Sequence, residues 1–136
     1  HYYMVRLELD SKKTNSVYSQ IVFSGTAEPF KYDLLSSSDP WEWDSFSFSA
    51  GVIRFLGDVS VTRENNTVTI VGAGIDNPPV FVVSKADNLQ LIHEGRTYVL
   101  RTGRNRFPAV RVGKEDATLT FSGSGKMSIE YRGRYL

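Results

Sequence analysis

The sequence predicts an all-β domain built as an antiparallel β-sandwich, and three observations lead to this fold class. Short stretches alternate between apolar and polar residues, which is the period of a strand with one buried face. Clusters of Gly, Pro, Asn and Asp separate these stretches at intervals of roughly ten residues, a spacing typical of sandwiches and barrels. No window of about 11 residues, the length of an ordinary helix, shows a helical period of apolar residues.

The N-terminal part is predicted to form a β-hairpin. Tyr2–Leu9 and Val17–Phe23 alternate as strands do, and the polar residues Asp10–Ser16 between them are expected to form the turn. Pro29 follows the second strand and has no amide hydrogen to donate to a strand ladder. We therefore expect it at a sheet edge or at a β-bulge.

A loop and an aromatic segment come next. Ser36–Pro40 (SSSDP) is the most loop-like run in the chain. Trp41–Phe48 (WEWDSFSF) has aromatic side chains on both alternating faces, so it is predicted to be an extended segment pinned by its aromatics. Strands then follow closely from Gly51 onwards. The predicted strands are Val52–Leu56, Val59–Arg63, Thr67–Val71, Pro79–Ser84, Leu89–His93, Thr97–Arg101, Ala109–Val112, Ala117–Phe121 and Lys126–Arg132. Turns are predicted between them at Glu64–Asn66, Gly72–Pro78, Lys85–Asn88, Glu94–Arg96 and Thr102–Arg106.

The last two of these strands are predicted to form a C-terminal hairpin that closes a sheet. Leu119 and Phe121 share one face of the first strand, and Ile129 and Tyr131 share one face of the second. Ser122–Gly125 (SGSG) separates the two strands. Its two glycines can adopt the positive φ that a tight turn needs.

Length and composition indicate one globular domain. The chain has 136 residues, of which 40% are hydrophobic and 23% are charged, ordinary values for a domain with its own core. We divide it into an N-terminal hairpin and linker segment, residues 1–50, and a main sandwich, residues 51–136. His1 opens the chain as if inside a strand, without an initiator Met or a signal-peptide pattern. We therefore expect the chain to be a fragment, either cut from a longer protein or left after removal of a tag.

Charge and cysteine content exclude several kinds of site. The net charge is +1, so neither a nucleic-acid partner nor an anionic membrane surface is expected. The lack of cysteine excludes disulfides and thiolate metal sites. No apolar run approaches the roughly 20 residues that a membrane-spanning helix needs.

Two motifs suggest a cofactor or a metal, and both are interpreted as structural. Val68–Gly74 (VTIVGAG) has two of the three glycines of a dinucleotide fingerprint, but Pro78 and Pro79 cannot open the helix that would hold the pyrophosphate. His1 would need a second histidine beside it to hold copper, and His93 is the only other one. No cofactor and no metal is therefore expected.

Six carboxylates are candidates for glycosidase chemistry, which needs two of them on facing walls roughly 5–10 Å apart. Their positions at turns and strand ends fit solubility equally well, and no serine-nucleophile motif is present. The chain is therefore expected not to be an enzyme, and no catalytic residue is assigned. The six carboxylates are Glu42, Asp44, Glu64, Asp76, Glu94 and Asp116.

Three segments resemble the C-terminal half of phage distal tail proteins, the Dit-type hub family of siphophage tails and baseplates. They are Ile21–Leu34, Val68–Val83 and Phe107–Leu136, and they occur in the order of the family pattern. The matching positions are Pro29, Phe30, Lys31 and Tyr32; Gly72, Gly74, Asn77 and Pro78; and Phe121, Ser122, Gly123, Gly125, Tyr131, Arg132, Arg134 and Tyr135.

This resemblance implies both an architecture and a function. The sandwich would be galectin-like, of the jelly-roll type, and joined in the full protein to an N-terminal domain that forms a homo-hexameric ring. The ring would lie in the virion between the tail tube and the tail-tip or baseplate proteins, after synthesis in the bacterial cytoplasm. The family is structural and uses no cofactor. The spaced residues with which galectins bind sugar are not present here in that order, and fold likeness alone carries no sugar binding.

The alternative function is a carbohydrate-binding module that attaches the virion or a secreted protein to the host cell wall. It would require exposed Trp41 and Trp43 that stack on sugar rings, whereas the interpretation we prefer buries them between hairpin and sandwich.

Two groups of residues are candidate contacts for partner proteins or a glycan because of their density. They are the aromatic residues Trp41, Trp43 and Phe46 and the basic residues Arg104, Arg106, Arg132 and Arg134.

Overall fold

The computed structural model describes residues 1–14, 19–40 and 55–136. These residues contain nine strands and no helix, and every strand pair is antiparallel. The predicted all-β antiparallel sandwich is therefore confirmed. The strands are β1 (Tyr2–Thr14), β2 (Ser19–Tyr32), β3 (Val59–Val61), β4 (Thr67–Ile70), β5 (Val80–His93), β6 (Arg96–Val99), β7 (Gly103–Arg106), β8 (Ala117–Glu130) and β9 (Arg134–Tyr135).

Two long strands, β5 and β8, form the centre of a six-stranded sheet. They pair with each other along almost their whole length, while β3 and β4 pair with the outer edge of β8 and β6 and β7 with the outer edge of β5. Apolar residues face each other across the central pair, as in Phe81 opposite Ile129 and Leu91 opposite Phe121. All four side chains are buried, and both halves of the two strands contribute to one core.

The predicted C-terminal hairpin is wrong. Ser122–Gly125 does not reverse the chain, because β8 continues through it from Ala117 to Glu130. The same correction applies to β5, where residues 85–88 were expected to be a turn between two strands. The two polar runs lie opposite each other, with Asp87 facing Ser124, and the pairing register shifts on either side of them. Such bulges bend a strand pair without ending it.

Gly123 shows why the bend needs a glycine. Its φ is +82°, in the left-handed region. A Cβ at this position would collide with the backbone carbonyl of Asn88 on β5. The glycine signal was therefore correct, but it marks a close approach of two strands at a shared bend and not a hairpin turn.

Several shorter elements also differ from the predictions. Residues 102–106 were expected to be a turn, but Gly103–Arg106 pairs with β5 as strand β7. Ala109–Val112 was expected to be a strand, yet it makes only an isolated bridge, between Val112 and Asn77. Of the predicted strand Val52–Leu56, residues 52–54 lie outside the described residues, and Phe55 and Leu56 are not in a strand. The tight turn at Glu94 and Gly95 is confirmed, and both residues have positive φ, as a two-residue hairpin loop requires.

The N-terminal hairpin is confirmed and is longer than expected. β1 continues through most of the predicted turn, and Thr14 pairs with Ser19. Pro29 lies at a register irregularity, as predicted, because the pairing steps there from Lys31 to Ala27 on β2. We call β1 and β2 together the ribbon. Among the described strands its one other sheet partner is β9, which pairs with β2 at Lys31 and Tyr32.

The segment after the ribbon is fastened to the end of β8 by a buried serine. The Ser37 hydroxyl donates to the carbonyl of Ile129 and accepts from the amide of Tyr131 at 2.8 Å. The Ser37 amide also donates to the Tyr131 carbonyl at 2.9 Å. Thus the SSSDP loop is a loop, as predicted, but one that is packed against the sandwich.

Substitution of Gly123 tests the shared bend. Gly95 is the matched control, because its φ of +73° is similar but a Cβ there would meet nothing within 4 Å. Gly95→Ala should cost about 1 kcal/mol of unfolding free energy from backbone strain alone. Gly123→Ala should cost about 2 kcal/mol more, since β5 must move away. Equal losses for the two variants in urea unfolding would contradict the bend.

Candidate functional site

A groove of about 560 Å³ lies where the ribbon joins the six-stranded sheet. Its walls come from both ribbon strands, from the SSSDP loop, and from the ends of β5, β7, β8 and β9. The groove is predominantly charged and polar. Its lining includes Tyr2, Tyr32, Arg106, Glu130, Arg132 and Arg134.

Three of the four predicted basic contact residues meet in this groove. Arg106 lies opposite Val80, which itself lies opposite Glu130, so the three residues form one row across β7, β5 and β8. Arg132 and Arg134 follow at the end of the chain, where β9 pairs with the root of the ribbon. These residues were chosen only for their density, and the structure brings three of them together; their role as contacts stays a prediction.

Arg104 lies just outside the groove and pairs with Glu130 in its wall. Its two terminal nitrogens donate to the two carboxylate oxygens of Glu130 at 2.9 and 2.8 Å. The Arg104 side chain is 64% exposed and that of Glu130 is 32% exposed, so the pair contributes at most about 1 kcal/mol to stability. Both carboxylate oxygens of Glu130 thus accept a hydrogen bond from Arg104.

Arg132 connects the loop to the ribbon. Its guanidinium donates to the carbonyls of Asp33, at 3.2 Å, and of Leu34. It also lies 3.6 Å from the Asp39 carboxylate and 5.7 Å from the centre of the Tyr2 ring. These contacts are all to the protein itself, so they hold Arg132 against the loop and the root of the ribbon.

Arg134 and Arg106 retain donors that are not used within the described chain. The Arg134 guanidinium lies over the Phe30 ring, 4.4 Å from its centre. One of its terminal nitrogens donates a hydrogen bond to the Asp76 carbonyl at 2.7 Å. Its buried Nε has no hydrogen-bond partner among the described residues. Arg106 is exposed and makes no side-chain hydrogen bond or ion pair with a described residue. Arg106 is therefore the groove arginine whose unused donors are also exposed.

Tyr32 forms the buried floor at the root of the ribbon. Its ring stacks on Tyr2 at 5.6 Å, and its hydroxyl donates to the Glu28 carboxylate at 2.6 Å. Burial raises the pKa of Tyr32 above its ordinary value of 10.0, and the hydrogen bond to Glu28 raises it further. The nearby Arg134 guanidinium opposes this shift of the pKa. Tyr32 is therefore a neutral donor that joins side chains within the root of the ribbon.

The described residues contain neither a candidate metal cluster nor a candidate membrane-spanning helix. In the ranges 1–14, 19–40 and 55–136, no group of three or more His, Cys, Asp or Glu side chains could hold a metal ion. His1 lies 3.5 Å from Asp33 and makes an edge contact with Tyr135. Asp116 accepts the amide hydrogen of Gly72, which is a turn contact. No helix in this part of the chain is long and apolar enough to cross a membrane.

The aromatic candidates Trp41, Trp43 and Phe46 lie outside the described residues, as do the carboxylates Glu42 and Asp44. Sequence reasoning did not single out Tyr2 and Glu130 as parts of a site. In the sequence Tyr2 cannot be told from any other aromatic residue of a strand. It lies near the end of the chain because it pairs with Tyr32, which in turn pairs with Arg134. A signal for Glu130 was present, since it lies beside the basic run that ends the chain.

The chain matches no protein-family model, no curated protein and no solved structure. The resemblance to distal tail proteins therefore stays a hypothesis.

Loss of the Tyr32 hydroxyl tests the root of the groove. Tyr32→Phe removes the bond to Glu28 and should lower the unfolding free energy by about 1 kcal/mol at neutral pH. The pKa of Tyr32 is raised on folding. The contribution of its hydroxyl to the unfolding free energy is therefore complete below pH 10 and is lost as the pH rises through the higher pKa of the folded state. The variant should thus lose less stability than the wild type above pH 10.

Urea unfolding from pH 7 to 11.5 measures this difference. Tyr3→Phe is the matched control, because Tyr3 is exposed on the ribbon and its loss should leave neutral stability unchanged. If Tyr32→Phe and the wild type lost equal stability at high pH, the assigned role of Tyr32 would be wrong.

Proposed function

We propose that this chain is a structural domain of a phage or prophage tail. In this proposal it is the C-terminal, galectin-like domain of a distal tail hub protein, which connects the tail tube to tail-tip or host-adhesion proteins. Its work is attachment through protein surfaces, without catalysis. The galectin-like detail and the hexameric state of the full protein come from the family resemblance described above.

One observation carries the proposal, the exposed apolar face of the ribbon. Val5, Leu7 and Leu9 alternate along β1 and lie on the same face as Phe23 of β2, which is opposite Leu9. These four side chains are 52%, 67%, 60% and 61% exposed, respectively. The other face is polar, with Arg6 and Glu8 opposite Thr26 and Ser24.

This face is not needed for the fold of the sandwich. The core consists of residues from Val61 to Tyr131 and includes none from the ribbon. An isolated two-stranded ribbon is at best marginally stable in water, and contiguous exposed apolar surface typically marks a protein contact. The ribbon therefore has the properties of an attachment element that is completed by neighbouring proteins.

One groove arginine supports the same function. Arg106 is exposed and has unused donors at the base of the ribbon, where a neighbour seated on the ribbon would reach them. The carbohydrate-binding alternative depends on Trp41 and Trp43, which are not among the described residues. The observed features therefore favour attachment to protein.

Localisation on virus particles tests the proposal. Particles released from cells that encode the chain should contain it by mass spectrometry after purification. Gold-labelled antibody raised against the domain should bind at the distal end of the tail in electron micrographs. A matched control is antibody first adsorbed with the purified domain, which should leave tails unlabelled. Tailed particles that lack the chain, or label confined to the head, would contradict the function.

A further inference from the structure

The outer edge of β1 has no strand partner in the described part of the chain. The three-stranded sheet runs in the order β1-β2-β9, so β1 is an edge strand of 13 residues. Proteins usually protect such edges with prolines, bulges or short strands. β1 contains no proline, and its backbone donors and acceptors on this side are available to another strand.

The middle of β1 is its regular part. The pairing with β2 has irregularities between Tyr3 and Val5 and between Leu9 and Ser11. From Val5 to Leu9 the register is unbroken. A straight stretch of five residues between two bulges is the segment of β1 best shaped to accept a further strand.

This segment is complementary to itself. Its sequence is Val5-Arg6-Leu7-Glu8-Leu9, with apolar residues at the centre and both ends and opposite charges between them. We propose that two copies of this chain pair antiparallel through β1, about a two-fold axis at Leu7. Arg6 then lies opposite the partner's Glu8, and Val5 opposite the partner's Leu9.

Neighbouring registers are excluded by charge and by the faces of the strand. An axis at Arg6 or at Glu8 would place like charges directly opposite each other, which is unfavourable. An axis between two residues would place apolar side chains opposite charged ones. The apolar face of one ribbon would then lie on the same side of the sheet as the polar face of the other. The axis at Leu7 alone keeps both faces matched and forms two opposite-charge pairs.

The charged groups are accessible for this pairing. Within one chain the Arg6 and Glu8 side chains are 85% and 69% exposed, and their charged atoms are 3.5 Å apart. The paired ribbons form a four-stranded sheet, which is more stable than an isolated hairpin. Its apolar side joins Leu7, Leu9 and Phe23 of both copies into one face. The pairing depends only on this chain's residues, so it holds or fails separately from the tail function.

A single cysteine tests the axis, because the chain has no cysteine of its own. At a two-fold axis, Leu7→Cys brings two thiols onto strands whose Cα atoms are roughly 4.5–5.5 Å apart, within disulfide range. Mild oxidation of the full chain should therefore convert it to a covalent dimer on a non-reducing gel. Ser24→Cys, exposed on β2 away from the edge, should remain largely monomeric. Equal dimer yields from the two variants would overturn the proposal.

Charge reversal tests the register. Arg6→Glu and Glu8→Arg each place like charges across the axis and should weaken dimerisation about tenfold or more in sedimentation equilibrium. The double variant restores both pairs and should dimerise like the wild type. The core lies elsewhere, so circular dichroism and urea unfolding should show an intact sandwich in every variant. A wild type that stays monomeric at millimolar concentration, or a dimer indifferent to these charges, would overturn the proposal.

Discussion

The pairing of β5 with β8 through a shared bend is the constraint on which the rest of the domain depends. Each strand has 14 residues, and each changes direction at a short polar run that faces the polar run of the other. Gly123 lets the two backbones approach at that point. The bend brings Phe81 and Leu91, from opposite halves of β5, into one core. The four short strands β3, β4, β6 and β7 pair with the outer edges of β5 and β8.

Fold class was predictable because alternation of apolar residues directly reports which faces are buried. Prediction of the individual strands fails where a strand continues through residues that usually form turns. Ser122–Gly125 and the facing polar run of β5 have turn composition, and nothing local distinguishes a hairpin from a bend. The difference is a long-range fact, namely that each run lies opposite the other. β7 was missed for a related reason, since Gly103–Arg106 has no apolar residue and is a strand only because β5 offers it an edge.

The candidate site was predictable in part. Arg106, Arg132 and Arg134 were chosen by density, and the chain does bring them into one groove. Composition could not show that Arg132 donates hydrogen bonds to backbone carbonyls whereas Arg106 is exposed to solvent. The ribbon was predicted as a hairpin, but its exposed apolar face was not, because alternation predicts a buried face and says nothing about which chain buries it. Among the described residues, the sandwich buries its own core, whereas the apolar face of the ribbon is exposed, and we propose that a partner covers it.

Amide hydrogen exchange at low and high protein concentration tests this division most directly. Amides of β5 and β8 should exchange slowly at both concentrations, because their protection comes from the domain's own core. Amides of Val5–Leu9 should exchange rapidly in dilute solution and become protected as the concentration rises. Ribbon amides that are as slow as those of β8 at the lowest concentration, or that ignore concentration, would contradict the account.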